Sequence, residues 1–200
     1  MKKSEKMSLF EDMPINELPL AILDLETTGF KPPEAKITEV AIICPNSSPE
    51  EVFHSLVDPE VRIPAEITAL TGITNSMVKG KPKIGQLAEK IAEILEGKIF
   101  VAHNVPFDLA FISHLFSSVL DRELQIPSLC TLRLSRKFFA LPSNSLGAVA
   151  KHFNIQTVGA HRAMADTLTV KLLMPVFIER LDREGYKNGG DLIRAKLIKT

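Results

Sequence analysis

Cysteine is almost absent from this sequence: Cys44 and Cys130 stand alone, each among apolar neighbours. Two such residues suit thiols filling a core in a reducing compartment, and argue against a disulfide framework or a cysteine zinc site. Neither sign of charge is in excess, with 24 Lys and Arg against 24 Asp and Glu. No overall field therefore draws in a polyanion, and any such partner would have to be recognised at a local site. Nowhere do about eighteen apolar residues run together, as a membrane helix requires. Lys2 and Lys3 are not followed by the apolar stretch of a secretory signal. The expected location is cytoplasmic, with no membrane partner.

What is present suits an ordinary globular chain: 200 residues, 45% hydrophobic and 24% charged. Residues 1–17 are charged and mixed, and read as a mobile leader; 18–180 form the body, and 181–200 a polar C-terminal tail. Strands are predicted over 20–26, 37–44, 51–57 and 98–102, the second and third close enough for an antiparallel hairpin. A short helix over 64–70 ends at Gly72. Ile84, Leu87, Ala88, Ile91, Ala92 and Leu95 mark an amphipathic helix over 84–96. Pro106 opens another helix reaching Phe116, and 131–139, 145–153 and 163–181 follow, the last bent at Pro175. Clustered strands and then alternation with helices predict an α/β fold, a mixed sheet with helices packed on it.

Against this background the stretch AILDLETTGF is unusual. Asp24 and Glu26 interrupt a core-like strand, and alternation puts both on one face. VAHNVPFDLAF places Asp108 in a first helical turn directly after a buried strand. AHRAMADTL places His161 and Asp166 at the start of the last helix, about 500° apart on a helix, so they could meet only if His161 lies in the loop ahead of it. Four converging carboxylates would raise one another's pKa values unless cations neutralise them. Oxygen ligands without Cys or paired His favour Mg²⁺ or Mn²⁺ over zinc. Two such ions about 3.5 to 4 Å apart serve the attacking and leaving oxygens of a phosphodiester, and a histidine near the attacking water suits a general base.

DLETTG, HNxxFD and HRAxxD, in this order, resemble the three motifs of the DEDDh (DnaQ-like) family of 3′-to-5′ exonucleases. The similarity runs over about residues 19–180 and includes ITEVAI, IPAEITALTGIT and SLGAVAKHFNI. It implies an RNase H-like fold, a central five-stranded mixed sheet flanked by helices. It also implies that Asp24, Glu26, Asp108 and Asp166 hold two Mg²⁺ or Mn²⁺ ions and that His161 is the general base. Thr27, Thr28 and Gly29 would contact the 3′-terminal nucleotide, Glu66 and Thr71 its sugar or base, and Asn104 and Phe107 would line the same cleft. Ala41 and Thr167 depart from residues common in the family, away from the chemistry. The implied reaction releases nucleoside 5′-monophosphates from single-stranded or frayed 3′ ends, with DNA favoured. RNA 3′-end trimming, or a non-catalytic module that binds a polymerase or clamp, are the alternatives. A proofreading member would associate with a DNA polymerase III catalytic subunit.

Outside the motifs, Glu39 reads as a residue that orients neighbours or caps a salt bridge, with no role as a ligand. His54, His114 and His152 read as surface or helix-face residues, and His103 belongs to the second motif without assigned chemistry. The leader segment Lys6 to Phe10 resembles a sliding-clamp docking peptide, with Leu9 and Phe10 as apolar anchors.

Overall fold

The computed structural model describes residues 9–157, 159 and 161–199. Strand β1 (Leu20–Thr27) is buried along most of its length, as a central strand of a sheet covered on both faces should be. It pairs antiparallel with β2 (Ile37–Cys44), which pairs antiparallel with β3 (Glu51–Leu56) at one edge. On its other side β1 is parallel to β4 (Ile99–Ala102), then comes β5 (Ser128–Cys130), parallel to β4, and last β6 (Ile198–Lys199), antiparallel to β5. The strand order is β3-β2-β1-β4-β5-β6. The α/β mixed sheet is as expected, but it has six strands where five were expected. The sixth comes from the C-terminal segment, where a two-residue strand carries no alternation to read.

The helices are α1 (Ala65–Thr71), α2 (Asn75–Val78), α3 (Ile84–Leu95), α4 (Val105–Val119), α5 (Thr131–Phe138), α6 (Leu146–His152), α7 (Ala163–Arg183) and α8 (Gly189–Arg194). Helix α7 continues through Pro175. Odd-numbered side chains of β1, Ala21, Leu23 and Leu25, share a core with Ile91 and Ile94 of α3 and Ile112 of α4. Even-numbered ones, Leu20 and Ile22, pack with Leu173 and Phe177 of α7. Asp24 and Glu26 continue the even series, so the strand's own alternation delivers them to the α7 side. Cys44 and Cys130 are buried free thiols, in keeping with a core role.

Both chain ends differ from expectation. Residues 9–17 of the expected leader pack against the body: Phe10 is 3% exposed and Ile15 is also buried, as is Leu18 where the body begins. The Ile15 N–H donates to the Lys187 carbonyl at 3.2 Å, and Gly189 and Gly190 donate to the Met13 and Glu11 carbonyls at 3.0 Å each. A Cβ on Gly189 would collide with the Phe10 carbonyl, so glycine is what permits this close approach. The tail is not a polar appendage either. Asn188 and Asp191 form a capping box that starts α8, and Leu192, Leu197 and Ile198 are buried. Its charges pair at the surface, Arg194 with Asp191 at 2.7 Å and Lys187 with Asp182 at 2.7 Å. Apolar residues of both ends, Phe10, Ile15, Leu192, Leu197 and Ile198, enter one core with β1, β4 and α7, each burial contributing on the order of 2 kcal/mol.

Candidate active site

Ligand sites in sheets of this kind lie beyond the carboxyl ends of strands, where the strand order reverses. The parallel neighbours β1 and β4 form such a point here. Asp24 and Glu26 stand near the end of β1, and β4 leads through His103 and Asn104 into α4, whose first turn carries Asp108. Asp166 is in the first turn of α7, which packs over the even face of β1. Carboxylate oxygens of Asp24, Glu26 and Asp166 lie within 4.8 Å of one another. Asp108, 4% exposed, sits outside this three-way group, with Oδ1 accepting the Leu25 N–H at 3.2 Å. It is nonetheless the foremost charge acting on Asp24.

The electrostatics follow from this crowding. Burial, then Asp108, Asp166, Glu26 and Glu39, push the Asp24 carboxyl well above its ordinary range. Burial and then Asp166, Glu39 and Asp108 push Glu26 up to about 8, with partial relief from Arg162. Burial pushes Asp108 up to about 7 against the backbone N–H groups that favour its charge. Asp166 is also raised by burial, while the His161 N–H and the His161 charge oppose the shift. Among the described residues, none donates a hydrogen bond to the Asp24 carboxylate. Oxygen donors massed in this way, with too little protein cation beside them, fit a hard divalent ion.

His161 lies ahead of α7, in the loop, as its spacing from Asp166 requires. Its backbone is left-handed, with φ at 63°, a region that histidine tolerates better than most residues. Its N–H donates to Asp166 Oδ2 at 3.2 Å, and its side chain is exposed at the lip of the cluster. A family model described as Exonuclease matches residues 21–174, spanning all five of these positions. The chain belongs to this exonuclease family. It is 35% identical over 202 residues to the DNA polymerase III subunit epsilon of Aquifex aeolicus, covering 99% of this chain and 98% of that one. It is 34% identical over 167 residues to the PolC-type DNA polymerase III of Clostridium perfringens, covering 82% of this chain and 11% of that longer protein. Among solved structures, exonuclease X bound to 5′-overhanging duplex DNA matches with a TM-score of 0.62 and 27% identity, over 83% of this chain and 93% of that one. Members of the family depend on divalent metal, and the acidic cluster of this exonuclease suits one.

The residues expected to touch substrate fall into two groups in this exonuclease. Asn104 and Glu66 are exposed, and Phe107 is half-buried and tilted against Phe111 with ring centroids 5.3 Å apart. Thr27, Thr28 and Thr71 have hydroxyls already engaged by the fold. Thr27 donates to the Gly29 carbonyl at 2.6 Å, Thr28 accepts the Lys36 N–H at 2.9 Å, and Thr71 donates to Ile67 and accepts from Ile73. Gly29 packs so closely that a Cβ would lie 3.3 Å from that of Ala35. The ETTG turn is thus a pinned backbone, and Thr71 closes α1.

Four residues outside the acid-and-histidine set, Glu39, Arg162, His54 and His103, bind the site together. The buried Glu39 carboxylate pairs with the half-buried Arg162 beside the cluster, and His54, exposed as expected, joins it at 2.8 Å. His103 has Nδ1 3.0 Å from Thr131 Oγ1 and Nε2 2.8 Å from the Asn144 carbonyl. Burial keeps its pKa below the ordinary value. A neutral ring there ties the end of β4 to the loop before α6.

Proposed function

We propose that this 3′-to-5′ exonuclease removes nucleoside 5′-monophosphates from single-stranded or frayed 3′ ends of DNA, using Mg²⁺ or Mn²⁺, with two ions per site. The observation that carries the reading is the half-buried group of Asp24, Glu26 and Asp166 with His161 at its lip. Asp24, Glu26, Asp108 and Asp166 would hold the ions. Bound ions supply positive charge against the phosphate and make a water more acidic at neutral pH. His161, exposed and tethered to Asp166 through its own N–H, would accept the proton of the attacking water. The pinned Thr27 to Gly29 turn would present backbone groups to the terminal nucleotide, and Asn104, Phe107 and Glu66 would border it. Thr71 would act only by shaping α1.

DNA is favoured over RNA because the relatives named include a DNA polymerase subunit and an exonuclease bound to DNA. The same likeness favours a replicative DNA polymerase as partner, the DNA polymerase III catalytic subunit in the proofreading case. A sliding clamp is a weaker candidate. Lys6, Met7 and Ser8 lie outside the described residues, and Phe10 would have to leave the core to serve as an anchor. Incubation of the protein with 5′-labelled single-stranded DNA and RNA in Mg²⁺ or Mn²⁺, with products resolved by length and chromatography, tests the reading. Stepwise shortening of DNA with release of 5′-monophosphates is expected. Preferential digestion of RNA, or internal cutting, would overturn it.

A further inference from the structure

The Glu39 side chain is 0% exposed. Its Oε1 accepts from Arg162 Nη2 and faces His54 Nε2, both at 2.8 Å; its Oε2 accepts from Arg162 Nε and from the Ala163 N–H, both at 3.0 Å. Burial pushes this carboxyl up, but the donors outweigh it and hold its pKa below the ordinary value. With its acceptor sites occupied by protein groups, Glu39 has little capacity left for a cation. The paired Arg162 contacts come from one planar fork, which sets orientation as well as distance.

The chain positions of the partners give this pair its meaning. Glu39 stands directly opposite Glu26 in the β1–β2 register. Arg162 lies between His161 and Ala163, and Ala163 begins the helix that carries Asp166. One buried carboxylate therefore joins the strand pair bearing Asp24 and Glu26 to the loop and first turn bearing His161 and Asp166. We propose that Glu39 is the positioning residue of the centre: through the Arg162 guanidinium and the Ala163 amide it holds His161 and Asp166 in register with the acids of β1. This rests on the reading of those four residues as the working groups of the exonuclease.

Small misplacement of reacting groups costs about 100-fold in rate. Glu39→Gln should therefore lower kcat on a 5′-labelled oligonucleotide by about that factor while KM changes less than about threefold. Arg162→Lys keeps the charge, loses the fork and sits at a partly exposed position, so it threatens folding less; it should lower kcat by about tenfold. In both, hydrogen exchange in metal-free protein should quicken at the amides of residues 163–166 while β1 and β2 keep their protection. Wild-type kcat in either variant overturns the proposal, as does a uniform loss of protection across the sheet in Arg162→Lys. Asp24→Asn, measured in parallel, separates the two levels: full activity there means that the site reading itself has failed.

Discussion

Replacing Glu26 by glutamine should stabilise the metal-free protein at mildly alkaline pH and change it far less in mild acid. In the fold, burial and the neighbouring carboxylates raise Glu26 from 4.5 to about 8. A carboxyl with a raised folded pKa holds its proton more tightly folded than unfolded. Its contribution to stability is therefore fullest below the unfolded value and falls as pH rises from there through the folded value. Linkage with these two values gives a loss of about 3 kcal/mol between about pH 5.5 and about pH 8. Glu26 is partly open to solvent, and screening reduces this to roughly 1–2 kcal/mol. Asp24, Asp108 and Asp166 are shifted in the same direction, so the wild-type protein should lose stability over this range by more than the share of Glu26. Urea unfolding in EDTA at the two pH values, for wild type and Glu26→Gln, reads the difference as a shift in midpoint at constant slope. A wild-type stability that rises with pH, or a variant no more stable than wild type at about pH 8, would refute the reasoning.

Three further outcomes are expected. Because carboxyls that hold protons at neutral pH must release them to bind a cation, calorimetric titration with Mn²⁺ in buffers of different ionisation enthalpy should register proton release, and less of it in Glu26→Gln. His161→Asn, which keeps a residue that tolerates the left-handed backbone, should hold the melting temperature in EDTA close to wild type and lower kcat by about 10²–10⁴-fold, the range for loss of a general base; a loss under about threefold in single-turnover assays would remove it from that role. Gly189→Ala, which drives a methyl group into the Phe10 carbonyl, should cost on the order of 2–4 kcal/mol in urea unfolding, and a cost under about 0.5 kcal/mol would contradict the docking of the two chain ends.

The acids of β1 were legible because strand alternation is local: Asp24 and Glu26 must share a face wherever the strand goes. Asp108 and Asp166 were legible as first-turn acids, but their distances depend on how α4 and α7 cross the sheet, and Asp108 proved to be beside the three-acid group. Glu39 was ambiguous for a similar reason. Its partners Arg162 and Ala163 lie 123 and 124 residues away, and no local pattern announces them. Strands β5 and β6 are too short for periodicity and exist through pairing alone. The tail misled because Lys, Arg and Asp outweigh Leu192, Leu197 and Ile198 by count, although the Asn188–Asp191 capping box was a readable sign of a helix start. Thr71 lay in family-like sequence, yet its hydroxyl serves α1.

The central claim is that one half-buried carboxylate cluster both holds divalent metal and supports the cleavage. Mn²⁺ binding by electron paramagnetic resonance and digestion of 5′-labelled single-stranded DNA, measured on the same preparations of wild type and Asp24→Asn, test it together. Wild type should bind Mn²⁺ and digest the DNA, while Asp24→Asn, folded by circular dichroism, should lose both metal affinity and cleavage. An Asp24→Asn protein that binds Mn²⁺ and shortens DNA as wild type does would contradict the account.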